Sequence, residues 1–334
     1  MPTLTGEDTM PETTAANPAA DAPEPSGLNI LVTGASGMMG LPIAIALAKR
    51  NTVFGVARFS SAAEEKTLRQ ASVETIRLDF SNPDMSRLPR RIDVVYHLGA
   101  MIGAPAERPE NRQAAYEANA YSAARLMTRY RDCMAFIHGS SGSTYAYQGE
   151  RPLREDDPFG LHTGLETYTT SKIGAEFIVQ ALAREWTVPT AILRIFSPYS
   201  VRGGAITMRV DQMAAGRAVT LYPGAPNRYC PIYEDDYVRK AIRAIGIVKT
   251  PPEVVNFCGT VTTTIEEYCA IAGRYLGKAP RFENTSKLYP IWPDTTKSLE
   301  LLGPDRVSLE DGIRRVVEAG PGARLSSWAT VMPD

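Results

Sequence analysis

The feature that most constrains this chain is a glycine turn, Thr33-Gly34-Ala35-Ser36-Gly37-Met38-Met39-Gly40, set directly after a short apolar run, Leu28–Thr33. A G-x-x-G-x-x-G spacing between a strand and a helix has a defined physical use. One glycine permits the tight turn, one lets backbone approach a pyrophosphate, and one lets the helix pack closely on the sheet. The helix that follows points its free N–H groups and positive dipole end at the phosphates. Leu41, Ile43, Ile45, Ala46 and Leu47 supply the apolar positions of such a helix, which runs to Arg50. The turn is read as a dinucleotide-binding element, with Gly34, Ser36, Gly37, Met38, Met39 and Gly40 as cofactor contacts. The two methionine side chains are read as gap-fillers in the core.

The alternation continues downstream. Thr52–Ala57, Val73–Leu78, Asp93–Leu98, Met134–His138, Thr190–Phe196 and Val254–Cys258 read as strands. Ser61–Gln70, about Arg112–Tyr130 and about Tyr168–Glu185 read as the helices between them. Short strands alternating with long helices predict an α/β fold: a Rossmann-type, doubly wound parallel sheet. After Phe196 the chain is less regular and richer in Gly, Pro and Tyr. The expected division puts residues 27–196 and about 234–279 in a dinucleotide-binding domain. Residues from about 197–233 and 280–334 then form a smaller, discontinuous substrate lobe over the carboxyl ends of the strands, where ligands of open α/β sheets bind. Residues 1–26 are rich in Pro, Ala, Thr and acids, lack Lys and Arg, and read as a disordered tail.

Composition narrows the function classes. A net charge of −1 leaves no basic excess for a phosphate backbone, so no nucleic-acid partner is expected. No apolar run is long enough for a membrane span, and the N-terminus lacks the basic start and apolar stretch of a signal peptide. Four scattered cysteines without a C-x-x-C pair suit a reduced, cytoplasmic protein. His97, His138 and His162 have no metal-ligand spacing, so no metal is expected, and the first two read as satisfied core histidines.

The ribose end of the cofactor faces Val56-Ala57-Arg58-Phe59-Ser60-Ser61, where no acid stands to hold a 2′-hydroxyl. Arg58 can pair with a 2′-phosphate, which favours NADP over NAD. Further on, Tyr168 and Lys172 stand four apart, on one face of a helix. A phenol is a poor acid or base at neutral pH, and a nearby ammonium lowers its pKa. The stretch from His138 to Tyr145 ends a strand just upstream and carries Ser141 toward the same cleft.

With these residues in view, the chain resembles the extended short-chain dehydrogenase/reductase family, often labelled NAD-dependent epimerase/dehydratase, over about residues 28–318. Thr33–Gly40 resembles its T-G-x-x-G-x-x-G, His97-Leu98-Gly99-Ala100 its H-L-A-A, and Tyr168 with Lys172 its Y-x-x-x-K. Ser141, four residues before Tyr145, fits its S-x-x-x-Y, and Leu193–Phe196 and Tyr233–Asp236 resemble later segments. The resemblance implies Tyr168 as general acid/base, Lys172 as its activator and ribose contact, and Ser141 as polariser of the substrate oxygen. It implies Asn119 as support for the lysine through water, and Asp79, Phe80, Leu98, Gly99 and Ala100 as further cofactor contacts. It also implies a homodimer through the helices near 112–130 and 168–185.

Four departures qualify it. Gly142-Ser143 stand where the family's dehydratases carry an Asp-Glu pair, so dehydration is not expected. Ser197 replaces an asparagine, and Pro198-Tyr199-Ser200 replaces V-Y-G. Arg228 is spaced one residue farther from Asp235-Asp236 than is common. No arginine beside a G-D pair precedes Asp294. The last three weaken the diphosphate-binding signal. The leading expectation is hydride transfer at a secondary alcohol or ketone of a small molecule, with nucleotide-sugar epimerisation on tightly held NAD as the alternative. A non-catalytic dinucleotide sensor ranks below both, because Tyr168 and Lys172 are present.

Overall fold

The computed structural model describes residues 24–161, 164–224 and 226–325. Most of the expected tail, and His162, lie outside these residues.

Seven parallel strands form the central sheet: β1 Asn29–Thr33, β2 Thr52–Ala57, β3 Glu74–Arg77, β4 Val94–His97, β5 Ala135–Ser141, β6 Thr190–Ile195 and β7 Glu253–Phe257. Their spatial order is β3-β2-β1-β4-β5-β6-β7, and every adjacent pair is parallel. The order reverses between β1 and β4, which opens a crevice at their carboxyl ends. This is the Rossmann-type sheet that the alternation predicts.

Side-chain alternation along the strands makes two cores. Ile30 and Val32 of β1, Val94 and Tyr96 of β4 and Ile137 of β5 face α1 (Gly40–Ala48). Leu31, Val95 and Phe136 face the other way, onto two long helices. The first of these, α2, spans residues 112–129 as Arg112–Tyr116, a π-helical turn Glu117–Tyr121, and Ser122–Arg129. The second, α3, is Glu166–Glu185.

A separate apolar cluster joins α4 (Ala205–Ala214), α5 (Ile265–Leu276) and α6 (Leu309–Ala319) through Ile206, Val210, Tyr268, Cys269, Ile313 and Val316. The sequence pattern assigned α5 to the sheet domain. Its apolar face meets α4 and α6 in this second cluster, an alignment that local periodicity does not reveal. The intervening helix Glu234–Arg243 packs Tyr237 and Ala241 beside α1. Among the described residues, no helix is long and apolar enough to cross a membrane.

Candidate active site

The glycine turn folds as its spacing requires. Gly34 adopts φ +69°, and a Cβ there would lie 2.8 Å from Gly99 Cα in the loop after β4. A Cβ on Gly40 would lie 2.2 Å from the Gly34 carbonyl oxygen, so the third glycine sets how closely α1 approaches the turn. Gly99 N donates to Thr33 Oγ1 at 3.0 Å, tying the ends of β1 and β4 together. The start of α1 has no acidic residue in its first turn and no side-chain cap. Its positive dipole end therefore faces the turn with no carboxylate to offset it. These features fit a dinucleotide pyrophosphate.

The other expected cofactor residues separate into two groups. Leu98, Gly99 and Ala100 are half-buried at the crevice, and Met38 and Met39 border the turn. Met39 packs against the core, and Met38 O accepts from Tyr237 Oη at 2.8 Å. Arg58 and Asp79 are exposed. Asp79 accepts from Ser81 N and Ser81 Oγ, forming a local turn. Phe80 packs in the core, edge-on to His97.

At the end of β5, Ser141 Oγ accepts from Ser143 N at 3.2 Å, and its hydroxyl bonds the Tyr168 phenol. Loss of water pushes the Tyr168 pKa up, and the Ser141 hydrogen bond opposes that rise. Lys172 is buried and donates from Nζ to the Gly139 carbonyl at 2.8 Å. Burial brings its pKa down to about 8. A serine, a phenol and a lysine with a readily lost proton thus meet at one strand end, a set suited to moving a proton on and off a substrate oxygen. Gly142 follows, and a Cβ there would come within 2.4 Å of the Phe196 ring. The position that dehydratases fill with an acid is closed to side chains here.

Asn119 does not contact Lys172 directly. Its Oδ1 accepts from Met101 N at 2.7 Å, and its Nδ2 donates to Met101 O and to Ser171 Oγ, each at 2.9 Å. It therefore ties the loop after β4 to α3, one residue before Lys172. The π-turn in α2 presents it there, consistent with the concentration of such turns at functional sites.

Two buried networks beneath the site were not anticipated. Glu176, one turn beyond Lys172, bonds Ser140 Oγ at 2.7 Å and pairs with Arg194 at 2.6 Å. A charge amid the apolar residues of β6 was the available signal, since a buried arginine requires a partner. The second is a histidine chain. Ser122 donates to Ala118 O at 2.6 Å, so it accepts from His97 Nε2–H at 3.0 Å. His97 Nδ1 is then bare and accepts from His138 Nδ1–H at 3.1 Å. His138 Nε2 is left as a buried acceptor with no partner among the described residues. Burial, then Lys172, holds His97 down to about 3, and burial, His97 and Lys172 hold His138 well below its ordinary value. Both are neutral. The expectation of satisfied core histidines thus holds for His97 and fails at one nitrogen of His138.

Elsewhere, among the residues after β6, Arg228 stacks over Trp292 at 5.2 Å. Arg202 pairs with Glu234, while Arg209 lies over the rings of Tyr229 and Tyr268. No cluster of His, Cys, Asp or Glu able to hold a metal occurs among the described residues.

The sheet order, the glycine turn and the serine–tyrosine–lysine cluster define a Rossmann-type enzyme built to hold a nicotinamide dinucleotide. The chain belongs to the NAD dependent epimerase/dehydratase family, whose model matches residues 30–258. It is 23% identical to the uncharacterized UDP-glucose epimerase YtcB of Bacillus subtilis (strain 168) over 86% of this chain and 96% of that protein. Among solved structures it resembles the UDP-glucuronic acid 4-epimerase of Bacillus cereus in complex with UDP-glucuronic acid and NAD, with 26% identity and a TM-score of 0.76. That match covers 87% of this chain and 98% of the other. The UDP-glucose 4-epimerase of Thermotoga maritima, at 23% identity and a TM-score of 0.75 over 87% and 98% of the two chains, shares the fold.

Proposed function

We propose that this chain is a nucleotide-sugar epimerase that retains its nicotinamide cofactor through the cycle. The observation that carries the reading is the meeting of Ser141, Tyr168 and Lys172 at the end of β5 beside a position closed to a dehydratase acid. The likeness to a UDP-glucuronic acid 4-epimerase supports the substrate class.

A bound nicotinamide dinucleotide supplies a reversible hydride acceptor. The Gly34–Gly40 turn and the dipole end of α1 would hold its pyrophosphate, and Leu98, Gly99 and Ala100 would line its nicotinamide half. Tyr168 takes the proton from the reacting sugar hydroxyl and returns it to the carbonyl oxygen of the inverted sugar. Ser141 donates a hydrogen bond to that oxygen in both directions, and the Lys172 ammonium favours the phenolate. Asn119 keeps the loop after β4 in register with α3. Arg228, supported on Trp292, supplies charge for the diphosphate.

Purified protein with UDP-glucuronate or UDP-glucose should yield the 4-epimer without added cofactor, followed by proton NMR. Absence of turnover together with absence of calorimetric binding to both sugars would overturn the proposal. A second reading, net reduction of a ketone by NADPH, is favoured by one observation: exposed Arg58 ends β2 where no carboxylate stands. Mass spectrometry of the nucleotide released by acid decides between NAD and NADP.

The outward-facing Tyr121 and Phe177 on α2 and α3 support a homodimer through those helices. The four buried free cysteines suit a reducing, cytoplasmic compartment. The division into a dinucleotide-binding domain and a discontinuous substrate lobe is supported by the separate apolar cluster of α4, α5 and α6.

A further inference from the structure

Helix α3 begins without a cap of its own. Leu165 occupies the N-cap position and its side chain accepts nothing. The amides of Thr167 and Tyr168, in the first turn, have no acceptor within the helix. Both are satisfied by one carboxylate from a distant part of the chain. Glu107 Oε2 accepts from Thr167 N and Glu107 Oε1 from Tyr168 N, each at 2.9 Å. Glu107 ends the short helical turn Ala104–Glu107, in the segment that starts at Leu98 along the crevice. We propose that Glu107 is a positioning residue for Tyr168: its carboxylate replaces the missing helix cap, pins the tyrosine's own amide, and sets how readily the phenol gives up its proton. The inference rests on Tyr168 being the proton-transfer residue.

The geometry separates two effects. The first is mechanical. The same segment is held to α3 at one further point, by Asn119 through Met101 and Ser171, while Tyr116 of α2 bonds Thr170 Oγ1 of α3 at 2.7 Å. With Glu107 at residues 167 and 168 and Asn119 at residue 171, the crevice loop is tied to the start of α3 on both sides of the tyrosine. The second is electrostatic. A helix N-terminus carries partial positive charge, which favours a phenolate nearby. A full negative charge seated on that terminus offsets the effect and disfavours the phenolate. Ser141 of β5 acts on the phenol directly, whereas Glu107 sits at the backbone of the helix start and acts through it. Ser141 favours ionisation, and the charge at the helix start opposes it.

The test needs no substrate. The ionisation of Tyr168 is read from near-ultraviolet phenolate absorbance, as the difference between each protein and its Tyr168→Phe counterpart, with NAD present. Glu107→Gln removes the charge at nearly constant shape, and Glu107→Asp keeps the charge with a shorter reach. Glu107→Gln should lower the phenol pKa by roughly half to one unit. Glu107→Asp should leave it nearer the parent value while lowering the melting temperature. An unchanged titration in Glu107→Gln, or an equal shift in both variants, overturns the proposal. If Glu107→Gln does not stay folded at alkaline pH, hydrogen exchange in the parent protein decides. Thr167 and Tyr168 amides exchanging as slowly as the helix interior support the cap, and rapid exchange overturns it. Catalytic failure of the parent with UDP-sugars would leave this titration readable, so the two proposals fail separately.

Discussion

The histidine chain beneath Lys172 makes a quantitative prediction about acid stability. His97 titrates near 6.5 when unfolded and is held down to about 3 when folded. A folded pKa below the unfolded one means the unfolded state binds the extra proton. Stability is therefore full above pH 6.5 and is lost as pH falls toward 3. The slope approaches about 1.4 kcal/mol per pH unit for each such group, so His97 alone costs about 2 kcal/mol between pH 7 and pH 5. His138 is shifted in the same direction and adds to the loss. The partnerless His138 Nε2 gives a way to isolate the effect, because His138→Phe removes one titrating ring and its desolvated nitrogen together. Urea unfolding of parent and variant at pH 7, 6 and 5 is the assay. The parent should lose stability over this range, and the variant should lose measurably less. A parent midpoint that does not move, or a variant with the same pH slope, would refute the assignment of neutral, desolvated histidines.

Four other outcomes follow from the site. Tyr168→Phe keeps the ring and removes the proton carrier, and should cut epimerisation by about 10²–10⁴-fold with dinucleotide affinity little changed, measured by turnover and calorimetry. Lys172 loses its proton near pH 8, so dinucleotide affinity should weaken as pH rises through that value in the parent and stay flat in Lys172→Ala, read by calorimetry. Glu176→Gln leaves Arg194 buried without its counter-charge and should cost about 3–5 kcal/mol in urea unfolding, along with activity through Ser140. Gly142→Asp should lower the melting temperature without producing a dehydrated sugar, because its Cβ meets Phe196 before the acid can reach a substrate.

What was legible in the sequence was local. The glycine turn, the strand and helix alternation and the i,i+4 pair of Tyr168 and Lys172 depend on short-range sterics and periodicity. The sheet follows because strands joined by helices must be parallel, and their crossovers have one hand. The identity of the candidate site could be read from these elements because the fold places strand carboxyl ends together.

The tertiary structure decided everything that depends on how separate segments meet. Phe80, adjacent in sequence to the exposed Asp79, turns into the core because it follows the alternation of a strand end. Asn119 reaches Met101 and Ser171 only because α2 and α3 lie side by side with a π-turn between its two α-helical stretches. Helix α5 joins the second apolar cluster because its apolar face packs on α4 and α6, from separate stretches of the chain. Glu107 gave no signal at all: a carboxylate in a loop becomes the cap of α3 only when the loop after β4 lies across the helix start. Spacing along the chain encodes periodic faces and turns, whereas a contact spanning 61 residues depends on packing energies summed over the whole core.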